Sequence, residues 1–248
     1  MSETNVNLPE AKFLPAGDRA LLVEYGRKID EATNDCVAQL ANWLEKEQIE
    51  GIVELVPTYC SLMICYEPKA ITYSALVQKL KKFKPTLEGS IDAPKKIWEI
   101  PCLYDGEDLA DMEELCKLSK EEIIKLHSSV DYRIYMLGFL PGFVYLGGLD
   151  EKIHAPRLQS PRTAIPAGSV AIGGGQTGIY PIASPGGWRL IGRTPLKLYD
   201  PERLEPILCK AGEYIRFVPI SKERFQEIEE LLAIGTYTPH CVAIGGAE

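Results

Sequence analysis

The sequence predicts an α+β protein in two parts, a small α/β domain over residues 1–90 and a β-rich domain over residues 95–234. Three observations support this prediction. Helical and strand-like patterns alternate in the first part, whereas short β-rich runs separated by Pro and Gly turns fill the second. Between them, residues 84–96 (KPTLEGSIDAPKK) are polar and interrupted by Pro and Gly, as is typical of a domain boundary.

The elements of the first domain follow one another as strand, helix, two strands and helix. RALLVEYG predicts the first strand, and Asp30 is the expected N-cap of a helix that extends to Lys46 with apolar residues at helical spacing. GIVELVPTYCSLMICYEP then predicts two strands separated at Pro57, and TYSALVQKLKKF predicts a second helix. This order is typical of a ferredoxin-like half-open sandwich.

The second domain begins with the strand-like run IWEIPCLYD. SKEEIIKLH follows as a helix with a capping box formed by Ser119 and Glu122. Short runs such as YRIYMLGF, SVAIGG and WRLIG then favour an antiparallel barrel or sandwich. A last helix is expected over residues 221–233, and residues 235–248 form a terminal tail without a predicted element.

The composition indicates a cytoplasmic protein with no nucleic-acid or membrane partner. The 27 basic and 35 acidic residues give a net charge of −8, and no block of Lys or Arg is long enough to follow a phosphate backbone. No run approaches the roughly 18 apolar residues of a membrane span, and the N-terminal MSETNVNLPEAKF lacks the pattern of a signal peptide. The seven cysteines include no C-x-x-C pair and predict reduced thiols, and the three histidines are too dispersed to predict a metal site.

The segment GGGQTGIYPIASPGGWRLIGRTP, residues 173–195, contains the G-x-G-x-x-G pattern of dinucleotide-binding sites. Such a site needs a helix directly after the glycines, and Pro181 and Pro185 exclude one here. The segment also lacks the G-K-[ST] ending of a phosphate-binding loop. Its glycines would let backbone N–H groups approach a ligand, and tight turns of a barrel are the alternative explanation.

Side chains in and near this segment are of the types that bind small anionic ligands. Arg157 and Arg162 follow prolines in APRLQSPR, and a guanidinium binds a carboxylate or phosphate through two parallel hydrogen bonds. Surface salt bridges are the alternative for these two and for Arg189 and Arg193. The other ligand-binding candidates are Gln176, Tyr180, Ser184 and Trp188. Ser184, in SPGG, is typical of a turn and not of a nucleophile.

Several long motifs resemble a known family. YRIYMLGFLPGFVYLGGL at 132–149, APRLQSPRTAIPAGSVAIGGGQTGIYPIASPGGWRLIGRTP at 155–195 and LYDP at 198–201 are similar to the Kip-type inhibitor family. That family is also called the 5-oxoprolinase B-type subunit family, or allophanate hydrolase subunit 1. The similarity extends from LPAGDRALLVEYG to AGEYIRFVPI. It implies a small α/β domain followed by a cyclophilin-like antiparallel β-barrel.

The resemblance also implies a subunit of an enzyme complex, 5-oxoprolinase, that opens 5-oxoproline (pyroglutamate) to L-glutamate. Its partners would be a homologous barrel protein of the Kip-antagonist type (the C-type subunit) and a third protein of the lactam-utilisation type (the A-type subunit). ATP would be a co-substrate of the complex, because phosphorylation of the lactam carbonyl oxygen makes a stable amide open to attack by water. The isolated chain is expected to be inactive.

On this hypothesis Arg157 and Arg162 hold the substrate carboxylate or a phosphate. Gln176 and the amides of residues 173–178 would face an oxyanion. Tyr180 and Trp188 would enclose the lactam ring and exclude water.

His127 is the acid–base candidate. It ends a predicted helix just before YRIYMLGF, and histidine is the side chain that titrates near neutrality without a perturbing environment. A histidine at the C-terminal end of a helix is also a common cap, because its positive charge matches the helix dipole. The sequence leaves both roles open.

Two other functions stay open at this level. Part of the family inhibits a sporulation histidine kinase by binding its dimerisation helices, which requires an exposed apolar patch. Phe139, Phe143 and Tyr145 would supply such a patch, which could equally dock the partner barrel protein. The second alternative is a carboxyltransferase-like subunit of a urea or allophanate pathway, which would act near biotin.

Overall fold

The computed structural model describes residues 9–86 and 95–244 of the chain. The chain divides into two compact units, Met1–Ala93 (unit 1) and Pro94–Glu248 (unit 2), and each has its own apolar core. Among the described residues, no helix has both the length and the apolar character that crossing a membrane requires.

Unit 1 is a four-stranded antiparallel sheet with two helices. Its elements are β1 (Lys12–Pro15), β2 (Ala20–Glu24), α1 (Glu31–Glu47), β3 (Ile52–Pro57), β4 (Ser61–Tyr66) and α2 (Tyr73–Leu80). The strands lie in the order β1-β2-β4-β3, and each neighbouring pair is antiparallel. Helix α1 begins where predicted, because the Asp30 carboxylate accepts a hydrogen bond from the N–H of Thr33 at 2.9 Å.

The apolar side of each helix packs into the core of unit 1. Leu40 and Leu44 of α1 are buried there with Leu76 of α2 and the strand residues Leu21 and Ile64. Strand β1 was not predicted, because the four-residue KFLP has no clear apolar alternation and is held in place by its pairing with β2. The ferredoxin-like arrangement of this unit stays a prediction. Most of the predicted linker lies outside the described residues.

Unit 2 combines β-strands with helices at its beginning and end. Its elements are β5 (Lys95–Cys102), α3 (Leu109–Cys116), α4 (Lys120–Ser128), β6 (Asp131–Leu137), β7 (Val144–Gly147), a 3₁₀ turn (Glu151–Ile153), β8 (Arg162–Ile165), β9 (Ser169–Gly173), β10 (Gln176–Ile179), β11 (Ser184–Gly186), β12 (Arg189–Arg193), β13 (Tyr214–Pro219), α5 (Lys222–Ala233) and β14 (Cys241–Ile244). One sheet has the order β12-β9-β10-β7-β6-β13-β5-β14, and β8 pairs with β11 in a second, two-stranded sheet.

The large sheet is mixed and mainly antiparallel. Its parallel pair is β5 with β13, and the other neighbouring strands run antiparallel. Just after β5, Leu103 forms an isolated bridge with Arg193 of β12, and their N–H···O distances are 2.8 and 2.9 Å. A mixed α/β fold with antiparallel sheets is therefore present, whereas a closed cyclophilin-like barrel stays a prediction.

The helices of unit 2 show which local signals were sufficient. The predicted capping box of α4 is present, since Ser119 and Glu122 exchange side-chain-to-backbone hydrogen bonds. Helix α5 begins after its N-cap Ser221, close to the predicted start. Helix α3 was not predicted, because its N-cap Asp108 makes no side-chain capping bond and its carboxylate is used elsewhere.

The end of the chain requires a correction. Residues 235–248 carried no predicted element, but β14 lies among them and pairs antiparallel with β5, with Cys241 opposite Trp98. A four-residue strand is too short to show a recognisable alternation of apolar and polar residues. Its extended conformation depends instead on its pairing with β5.

Candidate functional site

Three aromatic rings form a buried cluster, separate from the main core of unit 2. Phe143, Tyr180 and Trp188 pack there with Ile165, Ala171 and Leu190. The centroid of the Phe143 ring lies 5.4 Å from that of Tyr180 and 5.6 Å from that of Trp188, and both contacts are edge-to-face. Each such contact contributes about 0.5–1.5 kcal/mol of stability beyond the area that it buries. The contacts therefore hold the three rings in fixed positions.

A cleft of about 130 Å³ opens on this aromatic cluster. Its walls are Phe139, Phe143, Tyr145, Arg157, Tyr180, Pro185, Gly186, Gly187 and Trp188. The structure thereby brings together the three apolar residues selected as a partner or pocket surface and three of the ligand-binding candidates. We call this site the aromatic cleft.

Glycines of the 173–195 segment make room for the cluster. A Cβ atom at Gly173 would lie 2.5 Å from the Trp188 indole, and one at Gly178 would lie 3.1 Å from the same ring. A Cβ atom at Gly186 would collide with the hydroxyl of Tyr180. These glycines serve close packing of the rings, whereas the sequence had favoured backbone N–H groups that face a ligand.

The amides predicted to face an oxyanion belong to a hairpin. Residues 173–178 connect β9 with β10, and the N–H of Gly174 donates to the carbonyl of Ala155 at 2.7 Å. Gln176 begins β10 opposite Gly173 and does not line the aromatic cleft. We therefore do not retain the oxyanion role for this segment.

Ser184 is buried at the start of β11, where it pairs with Ile165 of β8. Its hydroxyl has no hydrogen-bond partner among the residues that the structure describes. The next residue, Pro185, lines the cleft and Ser184 does not. We therefore do not retain a ligand contact for Ser184.

Arg157 brings positive charge to the aromatic cleft. Its side chain is exposed, and its guanidinium carbon lies 5.8 Å from the centroid of the Trp188 ring. Within the described part of the chain no carboxylate forms an ion pair with it. Burial raises the pKa of Tyr145 and of Tyr180, and the charge of Arg157 opposes that rise. Aromatic walls beside an unneutralised guanidinium suit a small ligand with a flat apolar part and a carboxylate.

Arg162 does not line the cleft, and its predicted anion-binding role is not retained. Its Nη2 donates to Oδ1 of Asp108 at 2.7 Å, and its Nε lies 2.8 Å from a carboxylate oxygen of Glu107. The other carboxylate oxygen of the buried Asp108 accepts a hydrogen bond from the N–H of Leu190 at 2.6 Å. With two carboxylates already bound to its guanidinium, Arg162 ties β8 to the start of α3 and to β12.

Arg189 and Arg193 take the salt-bridge role that the sequence left open. Arg189 contacts Asp111 at 3.0 Å and donates through Nε to the carbonyl of Pro156. Arg193 binds Asp105 through Nε and Nη2, with a shortest distance of 2.9 Å.

His127 is a core residue, and its predicted acid–base role is not retained. It is fully buried, with Nδ1 2.7 Å from the Tyr104 hydroxyl and Nε2 2.7 Å from the Thr177 hydroxyl. Because Thr177 donates its proton to the carbonyl of Ala171, it accepts from Nε2–H, and Tyr104 donates to Nδ1. Burial lowers the pKa of His127 to about 3. A neutral imidazole without exposed atoms neither meets a substrate nor acts as a charged helix cap.

Sequence reasoning missed Asp108, Pro185 and Gly187. The partner of Asp108, Arg162, is 54 residues away along the chain, so no local spacing reveals the pair. Pro185 and Gly187 were assigned to a turn, and the signal that could have identified them is their place in the run SPGGW, which ends at Trp188.

Unit 2 has two larger clefts, of about 440 Å³ and about 480 Å³, which lie side by side next to α5. We do not assign the ligand site to them, because Arg193 and Lys197 of their walls are paired with carboxylates and Arg203 donates to the carbonyls of Lys197 and Pro206. Arg193 contacts Asp105 at 2.9 Å, and Lys197 contacts Asp200 at 3.6 Å. Over the described ranges, no group of three or more His, Cys, Asp or Glu side chains could hold a metal ion.

Comparison with known proteins places these features in a family. Residues 11–209 match the family model described as carboxyltransferase domain, subdomain C and D. The B-type subunit of 5-oxoprolinase from Bacillus subtilis (strain 168) is 39% identical over 86% of this chain and 95% of its own length. The B-type subunit of 5-oxoprolinase from Escherichia coli O157:H7 is 41% identical over 86% of this chain and 97% of its own.

Solved structures agree with the fold. The protein TTHA0988 matches with a TM-score of 0.75 at 35% identity over 82% of this chain, and the match spans only 40% of that longer protein. The urea carboxylase of Kluyveromyces lactis matches with a TM-score of 0.79 over 94% of this chain and 24% of its own. At 22% identity, the second match shows the shared fold alone.

Replacing His127 with Gln tests its neutral state in the core. Between its ordinary pKa of 6.5 and about 3, the unfolded chain binds a proton that the folded chain does not. The stability from this group is therefore complete above the ordinary pKa and is lost as pH falls, by about 1.4 kcal/mol per pH unit. We expect His127→Gln to remove that slope in urea unfolding measured between about pH 7 and about pH 5.

Unfolding of unit 2 can be followed by tryptophan fluorescence in a Trp43→Phe background. This change removes the tryptophan of unit 1 and leaves Trp98 and Trp188 of unit 2. His154→Gln is the matched control, because it makes the same substitution at an exposed histidine of unit 2. An unchanged slope in His127→Gln would contradict the buried neutral state.

Replacing Asp108 with Ala tests the ion pair behind the cleft. The change leaves a largely buried Arg162 without its closest carboxylate and the N–H of Leu190 without an acceptor. Because Arg162 keeps the exposed Glu107 as a partner, we expect the free energy of unfolding to fall by about 2–3 kcal/mol in chemical denaturation. Asp105→Ala, which removes an ion pair with Arg193 whose two side chains are 42% and 46% exposed, should cost less than about 1 kcal/mol. Equal losses in the two variants would show that Asp108 has no special role.

Proposed function

The chain belongs to the family of the carboxyltransferase domain, subdomain C and D, and on that basis we propose that it is the B-type subunit of a multi-subunit 5-oxoprolinase. The observation that carries the proposal is the near full-length match to curated relatives of that name. The seven cysteines are all free thiols, which supports a reducing compartment such as the cytoplasm.

The proposed reaction of the complex opens 5-oxoproline to L-glutamate with hydrolysis of ATP, in the company of the A-type and C-type subunits. ATP transfers a phosphoryl group to the lactam carbonyl oxygen and makes the carbon electrophilic. Water adds to that carbon, the ring C–N bond breaks, and the nitrogen takes up a proton. A second water then hydrolyses the resulting acyl phosphate and releases phosphate.

The aromatic cleft is the proposed place for the 5-oxoproline ring. Its volume of about 130 Å³ is below the roughly 300–1,000 Å³ of sites for drug-sized ligands, so it suits one small ring and not ATP. Trp188 and Tyr180 would enclose the ring, and Arg157 would hold its carboxylate. ATP is a co-substrate of the complex, and the isolated chain is expected to be inactive.

We also infer the finer fold that the family resemblance implies. The bridge between Leu103 and Arg193 connects the chain after β5 with β12 and so supports closure of the large sheet into a cyclophilin-like barrel. In unit 1, the antiparallel order β1-β2-β4-β3 with two helices supports a ferredoxin-like arrangement.

Regulation of a histidine kinase is the second candidate function. It is favoured by Phe139, an aromatic side chain that is 68% exposed at the mouth of the cleft. A urea-pathway role is less well supported, because neutral urea has no carboxylate for Arg157 to bind.

Co-expression with the A-type and C-type subunits tests the main proposal. We expect glutamate release from 5-oxoproline that depends on ATP and disappears when this chain is omitted. The control is the same preparation with each of the two partners omitted in turn. No release from a fully assembled complex would contradict the proposal and would direct the next assay to kinase autophosphorylation.

Replacing Arg157 with Ala tests the carboxylate contact. Loss of a charge-assisted hydrogen bond should raise the KM for 5-oxoproline about ten- to hundredfold in the active complex. Steady-state kinetics would measure this change, with the KM for ATP as an internal reference that stays constant. Arg27→Ala is the matched control, because that arginine is 89% exposed and lies in unit 1. Equal KM values for the wild type and Arg157→Ala would exclude the contact.

A further inference from the structure

The loop between β6 and β7 is closed by three backbone hydrogen bonds. The N–H of Gly138 donates to the carbonyl of Phe143 at 3.2 Å, and the N–H of Phe143 donates to the carbonyl of Leu140 at 3.0 Å. Pro141 and Gly142 occupy the centre of that inner turn, and Gly142 has a φ of 77°. Proline followed by glycine with positive φ is the pattern of a type II turn, so this part of the loop is rigid.

Phe139 occupies an unfavourable backbone conformation in this loop. Its φ is 64°, in the left-handed region that bulky residues avoid. The N–H of Leu140 donates to the carbonyl of Gly138 at 2.7 Å, which makes Phe139 the centre of a γ-turn with positive φ. This form of the γ-turn is rare and strained.

The side chain of Phe139 is also placed unfavourably. It is 68% exposed, although a phenylalanine gains stability from burial. Its ring makes an edge-to-face contact with Phe143 at a centroid distance of 5.8 Å and lines the aromatic cleft with Arg157 and Trp188. Folding alone would favour glycine or asparagine at this position, and residues held under such strain cluster at functional sites.

We propose that Phe139 is a specificity-determining residue, the outer wall of the aromatic cleft, which makes the cleft prefer the closed lactam ring to the opened amino acid. This proposal rests on the proposed function. A flat lactam can stack against an aromatic wall with its carboxylate at Arg157. Opening of the ring removes the flat amide that stacks and creates a second carboxylate, which the negative face of an aromatic ring disfavours. Phe139 thereby favours substrate binding and product release.

Phe139→Gly in the full complex is the decisive variant, because glycine accepts a positive φ and removes the ring without harm to the turn. We expect the KM for 5-oxoproline to rise roughly three- to tenfold, the amount that one aromatic contact supplies. The inhibition constant of L-glutamate should change less than about twofold, and kcat should stay within about twofold. The melting temperature should be equal to or above that of the wild type.

Two further variants separate the ring from other effects. Phe139→Tyr keeps an aromatic ring at this position, and its KM for 5-oxoproline should equal that of the wild type. Leu204→Gly removes another exposed apolar side chain, away from the cleft, and should leave the KM unchanged.

Each remaining outcome overturns the proposal in a recognisable way. An unchanged KM in an active Phe139→Gly complex, or an equal rise in KM and in the inhibition constant of L-glutamate, rejects the specificity role and leaves the proposed function intact. Loss of a partner protein from the Phe139→Gly complex in size-exclusion chromatography, without a change in KM, makes Phe139 a partner contact instead. An inactive wild-type complex rejects the proposed function, and this inference with it.

Discussion

The ion pair of Asp108 with Arg162 holds the surroundings of the aromatic cleft in place. Both oxygens of the Asp108 carboxylate are used, one by the Arg162 guanidinium and the other by the N–H of Leu190. Arg162 also reaches the carbonyl of Trp188 through Nη1 at 3.5 Å. One buried carboxylate thus fixes the start of α3, the start of β8 and the entry to β12. Because a buried charge without its partner is very costly, these segments stay together.

The aromatic cluster explains a segment that would otherwise suggest nucleotide binding. With a side chain at Gly173 the Trp188 indole could not lie where it does, and a side chain at Gly178 would require the indole to move slightly. Two of the three glycines that match a dinucleotide pattern therefore form the space for a tryptophan, and one of the two prolines that exclude a helix, Pro185, lines the cleft. The glycines do indicate that another group lies close to the backbone. That group is the Trp188 side chain and not a nucleotide.

Elements with local signals were predictable from the sequence, and contacts between distant residues were not. The Asp30 cap, the Ser119 capping box and α5 all depend on residues within one or two turns of helix. The short strands β1 and β14 depend on their partner strands. The sequence could not show that His127 is a core residue, because its hydrogen-bond partners Tyr104 and Thr177 are 23 and 50 residues away. Six of the candidate residues line the cleft, but the sequence placed them in two separate sets, and only the fold shows that they share one site.

The side chains of the cleft indicate which steps of the proposed reaction this chain could carry out and which would need its partner proteins. Its walls consist of Phe, Tyr, Trp, Pro, Gly and Arg residues, and burial raises the pKa of Tyr145 and Tyr180 further from neutrality. No described residue of these walls is therefore suited to take and return a proton at neutral pH. With Arg162, Arg189 and Arg193 neutralised by carboxylates, Arg157 is the arginine of this region that we propose as the contact for the substrate carboxylate. We infer that this chain binds and orients the substrate, and that proton transfer and phosphoryl transfer come from the partner proteins that complete the site.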